Sequence, residues 1–276
     1  MRPPEQTTAL VTGATDGLGR SVATELAGRG ARVLVHGRDP KRGELVVDEI
    51  RAETGNDRVE LHLADFASLA EVRELAAGVT QAAPELNLLV NNAGIGTGMP
   101  DGPERKQTRD GVELRFQVNY LAGFVLTESL LDLLRANAPA RVVQVSSLGQ
   151  APIDFDDPML TSAYDGLQAY GQSKLAQVMH AADLADSVPA DELTVNSLHP
   201  ATFMPTKIVL EERGATVDTL ELGTRSTLRL ALDPALDGVS GRFFDRLDEG
   251  SAHPQAADAE ARTRLRELSR ELSEAR

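Results

Sequence analysis

Cysteine is absent from the 276 residues. That removes structural disulfides, Cys-ligated zinc, iron–sulfur clusters and thiolate nucleophiles, and leaves the chemistry to oxygen, nitrogen or a cofactor. Long apolar runs are missing too. No run approaches the ~18 residues of a membrane span, and the opening MRPPEQTTALVTG has no apolar stretch long enough for a signal peptide. The expectation is a soluble cytoplasmic protein with no membrane partner. Positive charge is scarce: 28 Lys and Arg face 42 Asp and Glu, a net charge of −14. Such a chain repels phosphate backbones and anionic headgroups, so nucleic acid is not an expected partner. The five histidines (His36, His62, His180, His199 and His253) show no paired ligand spacing, and no serine sits on a G-x-S-x-G elbow. Neither a metal site nor a Ser-His-Asp hydrolase is expected.

What is present is ordinary for a folded domain, with 41% hydrophobic and 25% charged residues. No repeat, low-complexity linker or Pro/Gly/Ser-rich break divides the chain, so one domain over 1–276 is expected. Short β-branched runs alternate with segments of helical period. Strands are expected over Thr7–Thr12, Arg32–His36, Arg58–Leu63, Leu86–Asn91, Arg141–Ser146, Leu193–Leu198 and Gly241–Phe244. Strands this apolar, separated by helices, predict a sheet buried on both faces: a doubly wound α/β fold with a parallel sheet of about seven strands. Leu265, Leu268 and Leu272 recur at helical spacing and predict a docked terminal helix over about 254–274.

Between the first strand and the first helix lies Thr12-Gly13-Ala14-Thr15-Asp16-Gly17-Leu18-Gly19. Glycines there permit a sharp turn and let a pyrophosphate approach the helix N-terminus, where free N–H groups and the helix dipole favour an anion. The spacing is GxxxGxG, and only its place after an N-terminal strand makes a nucleotide site of it. At the tip of the second strand, where a carboxylate would bond an adenosine ribose and a cation would hold a 2′-phosphate, stands Gly37-Arg38. NADP(H) is the expected cofactor.

Tyr170-Gly171-Gln172-Ser173-Lys174 places a phenol and an ammonium four residues apart in a helical stretch, so both share one face. Bringing the phenol from about 10 to roughly 7 needs about 4 kcal/mol, which an ammonium and a nicotinamide cation together can supply. Only four of the 28 cations are lysines, so a lysine here is informative. Tyr164 is followed four residues on by Gln168 and lacks this pairing.

TGATDGLG, the Asn91–Gly94 run NNAG, Ser146-Ser147 after a strand, and YGQSK occur in an order that resembles the short-chain dehydrogenase/reductase family. Longer stretches (TRDGVELRFQVNYLAGF, APARVVQVSS, AYGQSKLA, GRFFDRLDEG) are similar to its retinol-dehydrogenase-like and protochlorophyllide-reductase-like branch. The resemblance spans nearly the whole chain. It implies a Rossmann-type domain and an NADP(H)-dependent oxidoreductase passing a hydride between nicotinamide and a carbonyl or alcohol carbon. In it Tyr170 is the general acid or base, and Lys174 lowers its pKa and holds the nicotinamide ribose. Ser147, with Ser146 as fallback, bonds the substrate oxygen, and Asn119 completes a proton relay. Gly13, Thr15, Gly17, Leu18, Gly19, Arg38, Asp65, Asn91, Ala93, Gly94 and Pro200 line the cofactor. Asp65 is alternatively a helix cap before Ala67, and Asn91 a strand-end hydrogen bond. The family's Pro-Gly after the sixth strand is Pro200-Ala201 here, which leaves the carboxamide contact open between Thr202 and Thr206.

The substrate pocket is expected from segments Ile95–Thr108, Leu148–Ala169 and Ala201–Leu222, whose apolar residues suit a small apolar organic substrate. In the long spacer before Tyr170, Asp154, Asp156 and Asp157 either face a polar substrate or sit in a solvated loop. A homodimer or homotetramer, paired through Phe116–Leu134 and Tyr170–Leu184, is a further implication of the resemblance. Two other functions fit the pattern less well. A dinucleotide-binding sensor or scaffold need not keep the acid, its lysine and the serine together, and light-driven reduction of a chlorophyll precursor relies in that branch on cysteines absent here.

Overall fold

The computed structural model describes residues 2–98 and 104–274. Seven strands run parallel: β1 Thr8–Val11, β2 Arg32–Gly37, β3 Val59–Leu63, β4 Leu88–Asn91, β5 Ala140–Val145, β6 Leu193–His199 and β7 Phe243–Asp245. An eighth, β8 Asp248–Glu249, pairs antiparallel with β7. The sheet order is β3-β2-β1-β4-β5-β6-β7-β8. Sequence patterning misses β8 because it is two exposed carboxylates with no buried face; the tight turn at Arg246, φ +56°, creates it.

Side chains alternate across the sheet as a strand's period of two requires. Ala9 and Val11 of β1, with Leu88 and Val90 of β4, join one buried cluster, while Leu10 and Leu89 join the other. The first cluster is completed by α1 (Gly17–Gly28), α2 (Pro40–Thr54) and α7 (Leu220–Leu232). The second takes α3 (Leu69–Ala82), α4 (Ala122–Ala136), α5 (Gly166–Ser187) and α8 (Ala259–Glu274). The remaining helix, α6 (Lys207–Arg213), buries no residue. None of the helices among the described residues is long and apolar enough to cross a membrane.

Strand ends shift by up to two residues from expectation, β4 starting at Leu88 rather than Leu86, and two helix starts differ as well. Pro254–Ala257 is a separate 3-10 turn, and α8 starts at Ala259 because Asp258 accepts from the N–H groups of Glu260 and Ala261 at 2.9 and 3.2 Å. The helix expected from Phe116 begins instead as a π-turn over Phe116–Leu121. Helix α8 lies against α5, tied by Arg266–Asp183 and by Arg262–Asp186 at 2.9 Å, and its Ser269 Oγ meets Tyr120 Oη of the π-turn at 2.7 Å. It therefore covers part of the α4–α5 side on which the resemblance would seat a partner.

The sheet reverses its winding between β1 and β4, the point at which doubly wound folds form a crevice at the strands' carboxyl ends. The residues singled out above lie at the ends of β1 to β6 or in the segments after them, on the turn over Phe116–Leu121 and on α5.

Candidate active site

The β1–α1 turn is shaped by glycine. Gly13 and Gly17 have φ of +63° and +48°, and a Cβ on Gly13 would lie 2.8 Å from Ala93 Cα. A Cβ on Gly19 would meet Gly13 O and Asn92 Nδ2 at 2.4 Å each. The turn therefore lies directly on the segment after β4, leaving room at the α1 N-terminus for an anion. Two residues not singled out in the sequence bind these loops. Asn92 Nδ2 donates to Thr12 O at 2.9 Å, and Thr12 Oγ1 accepts from the N–H groups of Asn92 and Ala93 at 2.9 and 3.0 Å. Arg42 is a third: its Nε donates to Thr15 O at 3.1 Å and its Nη2 pairs with Asp16 Oδ2 at 2.6 Å. Leu18 is buried in the α1 core, so only its main chain is offered to the crevice.

At the end of β2, Arg38 is exposed. His36, just before it, accepts the Gly13 N–H at Nδ1 (3.2 Å) and donates from Nε2 to Ala64 O (3.1 Å), which specifies the neutral Nε2–H form. Its ring stacks on Phe66 at 4.5 Å. Asp65 Oδ1 accepts the Ala67 N–H at 3.0 Å and closes the turn after β3, but the helix cap considered for it is made by Ser68, which accepts from Glu71 N at the start of α3. Asn91 is 2% exposed, and its Nδ2 donates to Thr127 Oγ1 of α4 at 2.9 Å. Its side chain thus belongs to strand–helix packing, and only its main chain is left to line the crevice.

Burial pushes both His36 and His199 down to about 4. Because the unfolded chain protonates them near 6.5, it takes up protons between pH 6.5 and 4 that the folded protein refuses. Each site should therefore cost about 1.4 kcal/mol of stability per pH unit as pH falls through that window, roughly 3 kcal/mol in all. Unfolding midpoints measured from pH 7 to 4 should drop accordingly, with a shallower slope in His36→Asn. An identical slope in the variant would rule out His36 as a source.

Helix α5 starts at Asp165, whose carboxylate accepts from Leu167 N, and carries Tyr170 and Lys174 on one face, with Lys174 Nζ 5.7 Å from the phenol ring centre. Lys174 is 6% exposed, and its ammonium donates to Val145 O and Gln177 Oε1, each at 3.0 Å. Burial pushes it down to about 8. Burial also raises the Tyr170 phenol, a hydrogen bond with Ser147 opposes the rise, and the Glu212 carboxylate adds to it. The paired serines are separated by this geometry. Ser146 Oγ donates to Lys174 O at 2.6 Å and joins β5 to α5, whereas Ser147 is the one at the phenol. Asn119, on the π-turn, accepts from Ile95 N at 2.7 Å and donates to Ser173 Oγ at 3.0 Å. A Cβ on Gly94 would stand 3.2 Å from Asn119 Oδ1 and 3.6 Å from Lys174 Nζ, so these three groups converge.

Ser146→Ala should cost about 1 kcal/mol of stability with little effect on rate. Ser147→Ala should lower kcat by about 10²–10³ with little effect on stability, as loss of one donor to a developing oxyanion does. Thermal unfolding and steady-state rates on both variants check this; the reverse pattern would exchange the roles.

The sequence pattern described as short chain dehydrogenase matches residues 7–215. The chain belongs to the short-chain dehydrogenase family. Human retinol dehydrogenase 13 is 37% identical over 276 residues, covering 94% of this chain and 82% of that protein. Among solved structures, an uncharacterized protein from Mycobacterium paratuberculosis superposes with TM-score 0.77 at 28% identity, covering 98% of this chain and 94% of its own. The Pseudomonas aeruginosa RhlG/NADP active-site complex gives TM-score 0.71 at 25% identity, covering 90% and 98%. The chain is thus a short-chain dehydrogenase/reductase acting on a CH–OH group, built on a dinucleotide-binding fold.

The two threonines on the family's carboxamide-contact segment have different partners. Thr202 Oγ1 is shared with His199 Nε2 at 3.0 Å and accepts from Arg246 Nη2 at 2.7 Å, while Thr202 N donates to Asp218 Oδ2 at 2.7 Å. These bonds engage its hydroxyl and N–H with the end of β6 and the turn after β7. Thr206 instead lies on the glycine turn, its Cγ2 3.1 Å from where a Gly17 Cβ would be. Pro200 is buried at the end of β6.

Above the dehydrogenase site, Glu212 of α6 accepts from Gly98 N at 2.8 Å and Thr97 Oγ1 at 3.0 Å, clasping α6 to the loop after β4. No sequence signal points to Glu212. Residues 99–103 of the expected pocket segment Ile95–Thr108 lie outside the described residues. Two spacer carboxylates serve the loop itself: Asp157 accepts from Thr161 N and Ser162 N, which hold it at about 2, and Asp154 accepts from Asp156 N, while the exposed Asp156 carboxylate lies 3.8 Å from Arg264 of α8. Tyr164 has a structural place. Its hydroxyl accepts from Arg115 Nη1 at 2.7 Å and donates to Glu113 Oε1 at 3.0 Å, and Arg115 Nε donates to Gly96 O at 2.8 Å.

Proposed function

We propose that the protein is an NADP(H)-dependent carbonyl reductase or alcohol dehydrogenase for a small, largely apolar organic substrate. The observation that carries this is the convergence of Tyr170, Ser147 and the buried Lys174 beside the glycine turn. The residues fit a dinucleotide: the α1 N-terminus with Gly13, Gly17 and Gly19 would take the pyrophosphate, Arg38 the 2′-phosphate, Asp65 the adenine side, Lys174 the ribose, and Thr206 the carboxamide. When bound, that group supplies or accepts the hydride. Tyr170 Oη donates a proton to the carbonyl oxygen as negative charge grows there, and removes it in the oxidative direction. The Lys174 ammonium favours the phenolate form, and the Ser147 hydroxyl donates to the same substrate oxygen.

Leu148, Phe203, Leu210 and Val217 are exposed on the segments flanking the site, which supports an apolar substrate. Retinal and retinol join the candidates because relatives carry the name retinol dehydrogenase. The test is a panel of ketones, aldehydes, secondary alcohols, retinal and retinol with NADPH or NADP⁺, followed by nicotinamide absorbance. Turnover of an apolar member is expected. NADPH binding without turnover of any member would favour a dinucleotide-binding sensor instead.

A further inference from the structure

We propose that Gln177 is a positioning residue for Lys174: its carboxamide oxygen, together with the Val145 carbonyl, keeps the lysine ammonium charged and held beside Tyr170. This rests on the functional reading above, since it assigns a task within that site.

An ammonium has three donors and no acceptor. Two donors of Lys174 are taken by Val145 O and Gln177 Oε1 at 3.0 Å each, which leaves one for the crevice. Gln177 lies three residues further along α5, so it stands on the same helix face. It is 2% exposed and Lys174 6%, so this bond is made away from competing water. A lone buried ammonium tends to lose its proton, because burial disfavours the charged form.

Ordinarily a carboxylate would offset that tendency, but the charged groups around α5 are engaged elsewhere. Glu113 is bound to Tyr164 and the Phe116 N–H, with Arg115 beside it. Asp183 and Asp186 pair with Arg266 and Arg262 of α8, and Glu128 lies by His180. Glu212 of α6 acts on Tyr170. The titration of Lys174 is governed by burial, with no charged neighbour contributing, and lies at about 8. The acceptors of the ammonium are thus two neutral oxygens, one of them main chain. At neutral pH the lysine sits close to its midpoint, so the single side-chain acceptor decides how much of the protein carries the charge that stabilises the Tyr170 phenolate.

The experiment is a titration of ε-¹³C-lysine signals in the cofactor-free full chain. The four lysines (Lys41, Lys106, Lys174 and Lys207) give few signals, and Lys174 is assigned by its loss in Lys174→Arg. Gln177→Met keeps the length and removes the acceptor, and should lower the Lys174 midpoint by about one pH unit or more. Gln177→Glu adds a charge and should raise it by at least as much. With a substrate from the panel above, the Met variant should lose about twofold in kcat for alcohol oxidation at pH 7, as the charged fraction falls to about half, with KM unchanged, and its pH profile should move to higher pH. Far-UV circular dichroism reports folding; if the Met variant does not fold, the Glu variant decides.

A Lys174 midpoint unmoved in the folded variants overturns the proposal. Since the titration uses neither cofactor nor substrate, its failure is separate from that of the functional reading. An inactive protein whose Lys174 answers to Gln177 sinks the reductase alone, and an active one whose Lys174 does not sinks Gln177 alone.

Discussion

Tyr170→Phe should lower turnover by about 10²–10⁴ while leaving NADPH affinity within a few-fold, the usual contribution of a positioned general acid. The ring's packing is retained in this variant, because Tyr170 is held through α5: Ser173 Oγ bonds its carbonyl at 2.7 Å, and that bond does not involve the phenol. What disappears is the oxygen that meets Ser147. Single-turnover rates, where chemistry is isolated from product release, together with a cofactor titration, check the prediction. Near-normal chemistry in the variant would sink the assignment of Tyr170. A parallel loss of NADPH binding would mean that the phenol serves the cofactor rather than the proton transfer.

The second large effect concerns the cofactor. A hydrogen bond from Arg38 to a 2′-phosphate should favour NADPH over NADH by about 10- to 100-fold, since charged hydrogen bonds are worth about 1.5–3 kcal/mol. Sequence logic alone suggests reversing the preference with Gly37→Asp and Arg38→Ser, adding a ribose acceptor and a repulsive carboxylate while removing the cation. The structure changes that design. A Cβ at position 37 would lie 2.4 Å from Thr15 Cγ2, so an aspartate there must push aside the Thr15 side chain on the glycine turn. The double variant should therefore bind both cofactors more weakly, and reversal should emerge only when Thr15→Ala is added. Paired titrations of wild type, double and triple variants test this. If wild type binds NADH as tightly as NADPH, Arg38 is a solvated surface residue.

The site was legible in the sequence wherever chemistry depends on spacing along one element. Tyr170 and Lys174 share a helix face because they are four residues apart, and Gly13, Gly17 and Gly19 form a turn because nothing larger fits. What was not legible depends on groups meeting across elements. Arg42 clamps Thr15 and Asp16 from α2, Glu212 reaches from α6 to the loop after β4, and Asn92 ties two strand ends together. No local pattern announces such contacts, because each residue alone is an ordinary polar side chain on a helix or loop. The β8 strand was invisible for the related reason that it buries nothing.

Apolar alternation and the glycine turn carry the doubly wound fold, because burial on both faces and short crossovers leave few other arrangements; the order of the strands came only with the structure. The adjacent serines and the two threonines are different. Ser146 and Ser147 are chemically equivalent in sequence, and only the packing of β5 against α5 turns one hydroxyl to Lys174 O and the other to the phenol. Thr202 and Thr206 are likewise alike until β7 and Arg246 engage the first and the glycine turn receives the second. Side-chain identity is encoded locally, but a hydroxyl's partner is chosen by which buried polar group would otherwise go unpaired, and that is known only once the chain has folded.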